Sequence, residues 1–180
     1  FQVSLTTDRP AYLAGETIQA LLQATYYFGA PVAGATVEWR ARARPYEFSP
    51  PGLEAFSWTD FDPYSAYKGE GEEEIASGSG TPDAQGRFQI RMPADLRKHA
   101  GSQVIILEAE VTDPNNNLVA GRTETVVHAG RFYIGLRAER YVGEAGQPLT
   151  FTVRTVDWEG QPLGEIPLSW TAYRREWFSV

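Results

Sequence analysis

Shifted by 131 positions, the last 49 residues of this 180-residue chain overlay the first 49 without a gap. Ten positions are identical: Phe1/Phe132, Leu5/Leu136, Arg9/Arg140, Ala14/Ala145, Gly15/Gly146, Gly29/Gly160, Pro31/Pro162, Trp39/Trp170, Ala41/Ala172 and Arg44/Arg175. Typical composition gives roughly 6% identity by chance, so roughly three matches are expected. The pairs Val3/Ile134, Ile18/Leu149, Leu22/Val153 and Val37/Leu168 keep apolar character at strand positions. Such self-similarity means one structural unit used twice. The sequence therefore divides into a first copy over residues 1–130 and the N-terminal part of a second over residues 131–180. Trp39 and Trp170 are expected to be buried at equivalent positions.

The unit is built from strands. Apolar and polar residues alternate with period two in Phe1–Leu5, Thr17–Phe28, Thr36–Arg42 and Arg87–Met92. Gln103–Thr112 starts as a solid apolar run, and Leu118–His128 follows after the turn Asp113-Pro-Asn-Asn-Asn117. Asp83-Ala-Gln-Gly86 is a second turn signal. Short β-branched and aromatic runs between turn residues read as an antiparallel sandwich. One strand is expected within Glu72–Ser77. The only helix-like stretch is Pro93–Ala100, about two turns. A second copy of about 50 residues leaves Ile134, Leu149, Phe151, Val153, Leu168 and Trp170 short of cover, and a contact with another molecule is expected to supply it.

Composition narrows the chemistry. The chain has no cysteine, which excludes disulfides, thiolate metal sites and a thiol nucleophile within it. Net charge is −7, with 10 basic and 17 acidic residues in 1–130 and 6 of each in 131–180. An acidic surface repels phosphates, so nucleic acid is not an expected partner. No apolar run is long enough for a helical membrane span. The chain opens on Phe1 with Met92 as its only methionine and no signal peptide, as expected of a piece of a larger or processed protein.

Residues 49–86 break the pattern with Pro50-Pro51-Gly52, a run of aromatics, Glu70-Gly-Glu-Glu-Glu74 and Ser77-Gly-Ser-Gly80. Outside one strand they read as a long loop. The acidic set Asp60, Asp62, Glu70, Glu72, Glu73 and Glu74 offers oxygen donors for calcium without the spacing of a calcium loop, so a solvated loop is expected. Asp60 and Asp62 do not specify a glycosidase pair. His99 and His128 stand alone in sequence, outside any metal or triad motif. No catalytic, cofactor-binding or metal-ligating residue is expected, and the chain is not expected to be an enzyme. Tyr26, Tyr27 and Phe28 are expected to pack in the core and at its edge. Together with Tyr46, Phe48, Phe56, Trp58, Phe61, Tyr64 and Tyr67, these three rings could instead form a carbohydrate platform or a contact between copies; for residues 56–67 packing against the neighbouring copy is expected.

The first copy opens with a strand, a Tyr-Gly-Glu loop and a second strand. Here these are Asp8-Arg9-Pro10-Ala11-Tyr12-Leu13-Ala14-Gly15-Glu16 and Gly29-Ala30-Pro31-Val32-Ala33-Gly34-Ala35-Thr36-Val37-Glu38-Trp39, followed later by Asp83-Ala-Gln-Gly-Arg-Phe88. This combination resembles the macroglobulin-like modules of the alpha-2-macroglobulin family, in particular its bacterial members. The second copy departs from it: Glu139-Arg140-Tyr141 replaces Asp8-Arg9-Pro10, and Gln147 replaces Glu16. The resemblance implies tandem seven-stranded antiparallel β-sandwiches of immunoglobulin or fibronectin type III-like build, the second incomplete. It further implies non-catalytic scaffolding in an exported endopeptidase inhibitor that traps proteases after bait cleavage, in the periplasm or at the cell surface. Target proteases would be met through the full-length protein, and neighbouring macroglobulin modules would be direct partners. The family's Cys–Gln thioester cannot lie in this chain. The other reading is a cell-surface adhesin or carbohydrate-binding sandwich.

Overall fold

In the computed structural model, residues 1–59, 71–174 and 176 are described. They form ten strands and no helix: β1 (Gln2–Thr7), β2 (Ala11–Leu13), β3 (Thr17–Thr25), β4 (Thr36–Pro45), β5 (Glu73–Gly80), β6 (Arg87–Pro93), β7 (Gln103–Thr112), β8 (Leu118–His128), β9 (Tyr133–Ala138) and β10 (Phe151–Val156). A three-stranded sheet β1-β3-β6 faces a five-stranded sheet β2-β8-β7-β4-β5, and β9 pairs with β10 alone. β1 and β2 are one chain segment that leaves the first sheet and joins the second, where β2 runs parallel to β8. Taking that segment as a single strand leaves the seven-stranded sandwich implied by the family resemblance.

Alternation sets the core. On β3, Ile18, Ala20, Leu22 and Ala24 face inward, all nearly solvent-free. They meet Ile105, Leu107, Ala109 and Val111 of β7 and Val37, Ala41 and Ala43 of β4 in one cluster. The Tyr-Gly-Glu loop closes on itself. Tyr12 is fully buried, its hydroxyl bonded to Asp8, while the Glu16 carboxylate accepts from Leu13 N at 2.7 Å and pairs with Arg9 at 3.2 Å.

The 131-residue repeat is a repeat of backbone structure. β1 pairs with β3 from Gln2↔Thr25 to Thr7↔Ala20, and β9 with β10 from Tyr133↔Val156 to Ala138↔Phe151, six pairs in the same register. The bridge Thr25↔Pro31 recurs as Val156↔Pro162. Gly29 N→Tyr26 O and Val32 N→Ala24 O recur as Gly160 N→Asp157 O and Leu163 N→Thr155 O. Gly34 has φ +70°, and its counterpart Glu165 takes φ 58° although a side chain disfavours the left-handed region. The backbone conformation is thus kept in both copies although the residue differs.

The correspondence ends at the third strand. Trp39 lies on β4, half-buried, with its indole over Gly78 of β5. Trp170 is 86% exposed and its segment forms no strand, so the expected burial of both indoles does not hold. β4 exists because β5 and β7 flank it. Among the described residues, no strand flanks 167–174.

Three further readings are corrected. Pro93–Ala100 is not a helix: Pro93 still pairs with Thr17, Ala94 N bonds back to Glu16 O, and Asp95 caps Arg97 N at 3.0 Å. Those local bonds compete with helical ones. Ser77-Gly-Ser-Gly80 is strand, not loop. A Cβ at Gly78 would lie 2.8 Å from the Trp39 ring and one at Gly80 2.3 Å from Phe88, so both glycines are space for aromatic rings. Tyr26 packs edge-on to Phe1 and the exposed ring of Phe28 stacks on Tyr26 at 5.3 Å, but Tyr27 is 82% exposed, against the expectation of core or edge packing.

Candidate interface between the sandwich and the C-terminal hairpin

The segment after β4 wraps toward β9 instead of running free. Leu53 N bonds Pro50 O, Phe56 N bonds Leu53 O, and the Trp58 indole N–H reaches Leu53 O at 3.4 Å. This compact strap then joins the edge of β9. Ser57 N donates to Leu136 O and Leu136 N to Ser57 O, both at 2.9 Å, one rung of an antiparallel ladder.

Side chains fill the joint. The ring of Phe48, 6% exposed, stacks on Tyr133 at 3.8 Å and meets Trp58 edge-on at 5.4 Å. Phe56 sits against Trp58 and under two guanidiniums, Arg137 at 5.0 Å and Arg154 at 5.5 Å. Gly135 lies beneath the Trp58 ring, where an added Cβ would come within 2.7 Å. Gly160, with φ +83°, lies equally close to Pro50.

A second set surrounds His128 at the end of β8. Its ring is 4% exposed, stacks on Trp158 at 4.1 Å and meets Tyr46 edge-on at 5.6 Å. Nδ1 lies 2.7 Å from the Tyr133 hydroxyl, which lies 2.8 Å from Ser102 Oγ, which accepts from Ala129 N at 3.0 Å. Trp158 donates from Nε1 to Gly130 O at 2.8 Å. Burial among these uncharged groups pushes the His128 pKa down to about 4 and the Tyr133 phenol up. At neutral pH His128 is an uncharged packing element.

The hairpin is thus docked by its outward face. Tyr133, Gly135, Arg137 and Arg154 touch the strap, while Ile134, Leu136, Phe151 and Val153, the counterparts of core residues, are about half exposed. The expectation that the aromatic loop packs against the neighbouring copy holds for Phe56 and Trp58. Phe61, Tyr64 and Tyr67 lie outside the described residues, as do Asp60, Asp62 and Glu70.

Glu72 pairs with Arg42 at 2.7 Å, and Glu73 and Glu74 sit exposed on the edge strand β5. Arg42 also binds Glu108, within a band that joins Arg40 to Glu110, Arg44 to Glu124 and Arg122 to Glu124 across the outer face of the five-stranded sheet. Single residues give no sign of this band, because it requires the register of β4, β7 and β8. His99 lies in the turn after β6. Among the described residues, no three His, Asp or Glu side chains converge as a metal site, and no helix is long and apolar enough to cross a membrane.

No family model matches the chain. The alpha-2-macroglobulin of Thermotoga maritima is 27% identical over 167 residues, 92% of this chain and 9% of that protein. Among solved structures, Escherichia coli alpha-2-macroglobulin activated by porcine elastase matches with TM-score 0.64 and 18% identity, over 88% of this chain and 14% of its own. Salmonella alpha-2-macroglobulin reacted with methylamine matches with TM-score 0.64 and 17% identity, over 89% of this chain and 11% of its own. The chain therefore spans about a tenth of the length of the proteins it matches and shares their β-sandwich fold. The resemblance carried by its Tyr-Gly-Glu and Gly-x-Pro motifs points to the same proteins.

Proposed function

We propose that this chain is a pair of macroglobulin-like modules, 1–130 complete and 131–180 the start of the next, in an alpha-2-macroglobulin-like protease trap. Its role is non-catalytic: it fixes the angle between successive modules and carries rearrangement from one to the other. The observation behind this is the joint itself, where the strap and His128 clamp the outward face of the next module's first hairpin. The matched structures cover 88–89% of the chain, more than the first sandwich alone, so the likeness extends into the hairpin. One match is named as activated by elastase and another by trypsin, and serine proteases are accordingly the first partners to test. Nucleic acid is not a partner. An exported setting, the periplasm or cell surface, follows from the same reading.

Against the carbohydrate-platform reading, the Phe56 and Trp58 rings are engaged by Phe48, Arg137 and Arg154. The test uses the full-length parent. Mixed with elastase or trypsin, it should retain the protease in a stable complex on size exclusion, and the 180-residue chain alone should not. A parent that is cut without retaining protease overturns the reading.

A further inference from the structure

The joint shows where a second joint of the same kind belongs. On the hairpin the docked positions are Tyr133, Gly135, Arg137, Arg154, Trp158 and Gly160. Displaced by 131 they are Gln2, Ser4, Thr6, Gln23, Tyr27 and Gly29, which share the outward face of β1–β3 and the turn at its end. The two turns have the same bonds: Tyr26 N→Ala30 O matches Asp157 N→Gln161 O, and Gly29 N→Tyr26 O matches Gly160 N→Asp157 O. Tyr27 therefore leaves its hairpin in the same direction as Trp158. Trp158 lies on His128 and bonds Gly130 O; Tyr27 is 82% exposed. A Cβ at Gly160 would strike Pro50, whereas one at Gly29 would meet nothing within 4 Å.

A second observation falls on the same place. Among the described residues of 1–130, the large hydrophobic side chains left exposed are Leu21, Tyr27, Phe28 and Leu118. Three of these four lie on β3 or its turn. Leu21 pairs with Thr6 and so shares the outward face. β1 is also the edge of its sheet, as β9 is before the strap joins it.

We infer that the outward face of β1–β3, with the Tyr27–Phe28 turn, is a docking surface for the C-terminal end of another sandwich of this build, lying before it in the parent chain. That partner brings an aromatic strap to β1 and the end of its last strand to Tyr27. The inference rests on the proposed modular array for its partner and on the repeat for its geometry.

The test is hydroxyl-radical footprinting of Tyr27 and Phe28 in the 180-residue chain and in the full-length parent. Labelling of both rings should fall several-fold in the parent. The substitution Tyr27→Asp should leave melting of the 180-residue chain unchanged. In the parent it should raise hydrogen exchange in the last strand of the preceding sandwich. Equal labelling in both proteins overturns the inference, and so does protection accompanied by an exchange change elsewhere. A parent that retains protease while both rings stay fully labelled removes this docking surface and leaves the protease-trap reading intact; one that fails to retain protease and leaves both rings fully labelled removes both.

Discussion

The β1–β3 and β9–β10 hairpins have one register and two environments. Leu5 and Leu22 are 5% and 0% exposed under the five-stranded sheet, whereas their counterparts Leu136 and Val153 are 47% and 48% exposed. Alternation gives the same ladder register in both places. Burial is a separate matter, supplied by strands distant in sequence. A two-stranded hairpin is marginal alone in water, and this one is held from behind by the strap. The Tyr-Gly-Glu loop shows the same division. Tyr12 anchors it in the sandwich, Gly143 stands at the matching position, and the adjacent Tyr141 and Val142 are fully or largely exposed.

The largest effect that separates the two regions is a core truncation. Leu22→Ala should cost about 2–5 kcal/mol in urea denaturation of the 180-residue chain, because a buried side chain leaves a cavity. Val153→Ala, at the matching position, should stay within about 0.5 kcal/mol, as surface substitutions do. A cost at Val153 equal to that at Leu22 would mean the open face is covered in solution. Light scattering would then show self-association, the intermolecular cover that the short second copy led us to expect.

That contrast marks what could be read from the sequence. The repeat, most strand positions and the Asp-capped turns were legible because each depends on residues within a few positions of one another. Strand β5 was read short, since Gly78 and Gly80 look like a loop until Trp39 and Phe88 are seen lying over them. The helix at Pro93–Ala100 failed because Asp95 and the backbone of Glu16 compete for its amides. Packing of Phe56 and Trp58 against the next copy was legible from composition alone, but the role of His128 was not. A histidine ending a strand gives no sign of the Trp158 that will cover it 30 residues later.

The next effect is a pH dependence confined to the joint. The folded pKa of His128, about 4, lies below the ordinary value of 6.5, so undocked protein takes up a proton that docked protein resists. Docking should be pH-independent above about 6.5 and weaken as pH falls to about 4, by on the order of 1–3 kcal/mol in total. Tyr46, Tyr133, Ser102 and Trp158 face the ring, and none carries a charge to offset it. Amide resonances of Ser57 and Leu136 should report the loosening while those of Leu5 and Leu22 stay fixed. His128→Phe should remove the dependence; if the same pH profile persists, another group controls the joint.

Gly160 and Gly29 sharpen the comparison further. Both have positive φ, +83° and +94°, so alanine strains either turn by about 1 kcal/mol. Only at Gly160 does the new methyl meet a neighbour, Pro50. Gly160→Ala should therefore speed exchange of the Leu136 amide, while Gly29→Ala should lower global stability and leave that amide alone. If both substitutions spare Leu136, the strap tolerates the clash and the contact at Pro50 does not position the hairpin.

The smallest effect comes from the guanidiniums over Phe56. Arg137 and Arg154 correspond to Thr6 and Gln23 in the first hairpin, where the Gln23 amide instead donates to Gln85 O at 2.8 Å. Arg154→Gln thus gives β10 the residue that β3 carries at the matching place. A cation over an aromatic face at a partly exposed site contributes about 0.5–1 kcal/mol, so each substitution, Arg137→Thr or Arg154→Gln, should weaken docking by no more than that. The two cations share one ring, so their effects should not add: the double variant should lose less than the sum of the single ones. The measurement is protection of the Ser57 and Leu136 amides in each variant. Strict additivity would show that the two arginines act through separate contacts, and an undiminished joint in the double variant would leave the Phe48–Tyr133 stack and the Ser57–Leu136 rung as sufficient to hold the hairpin.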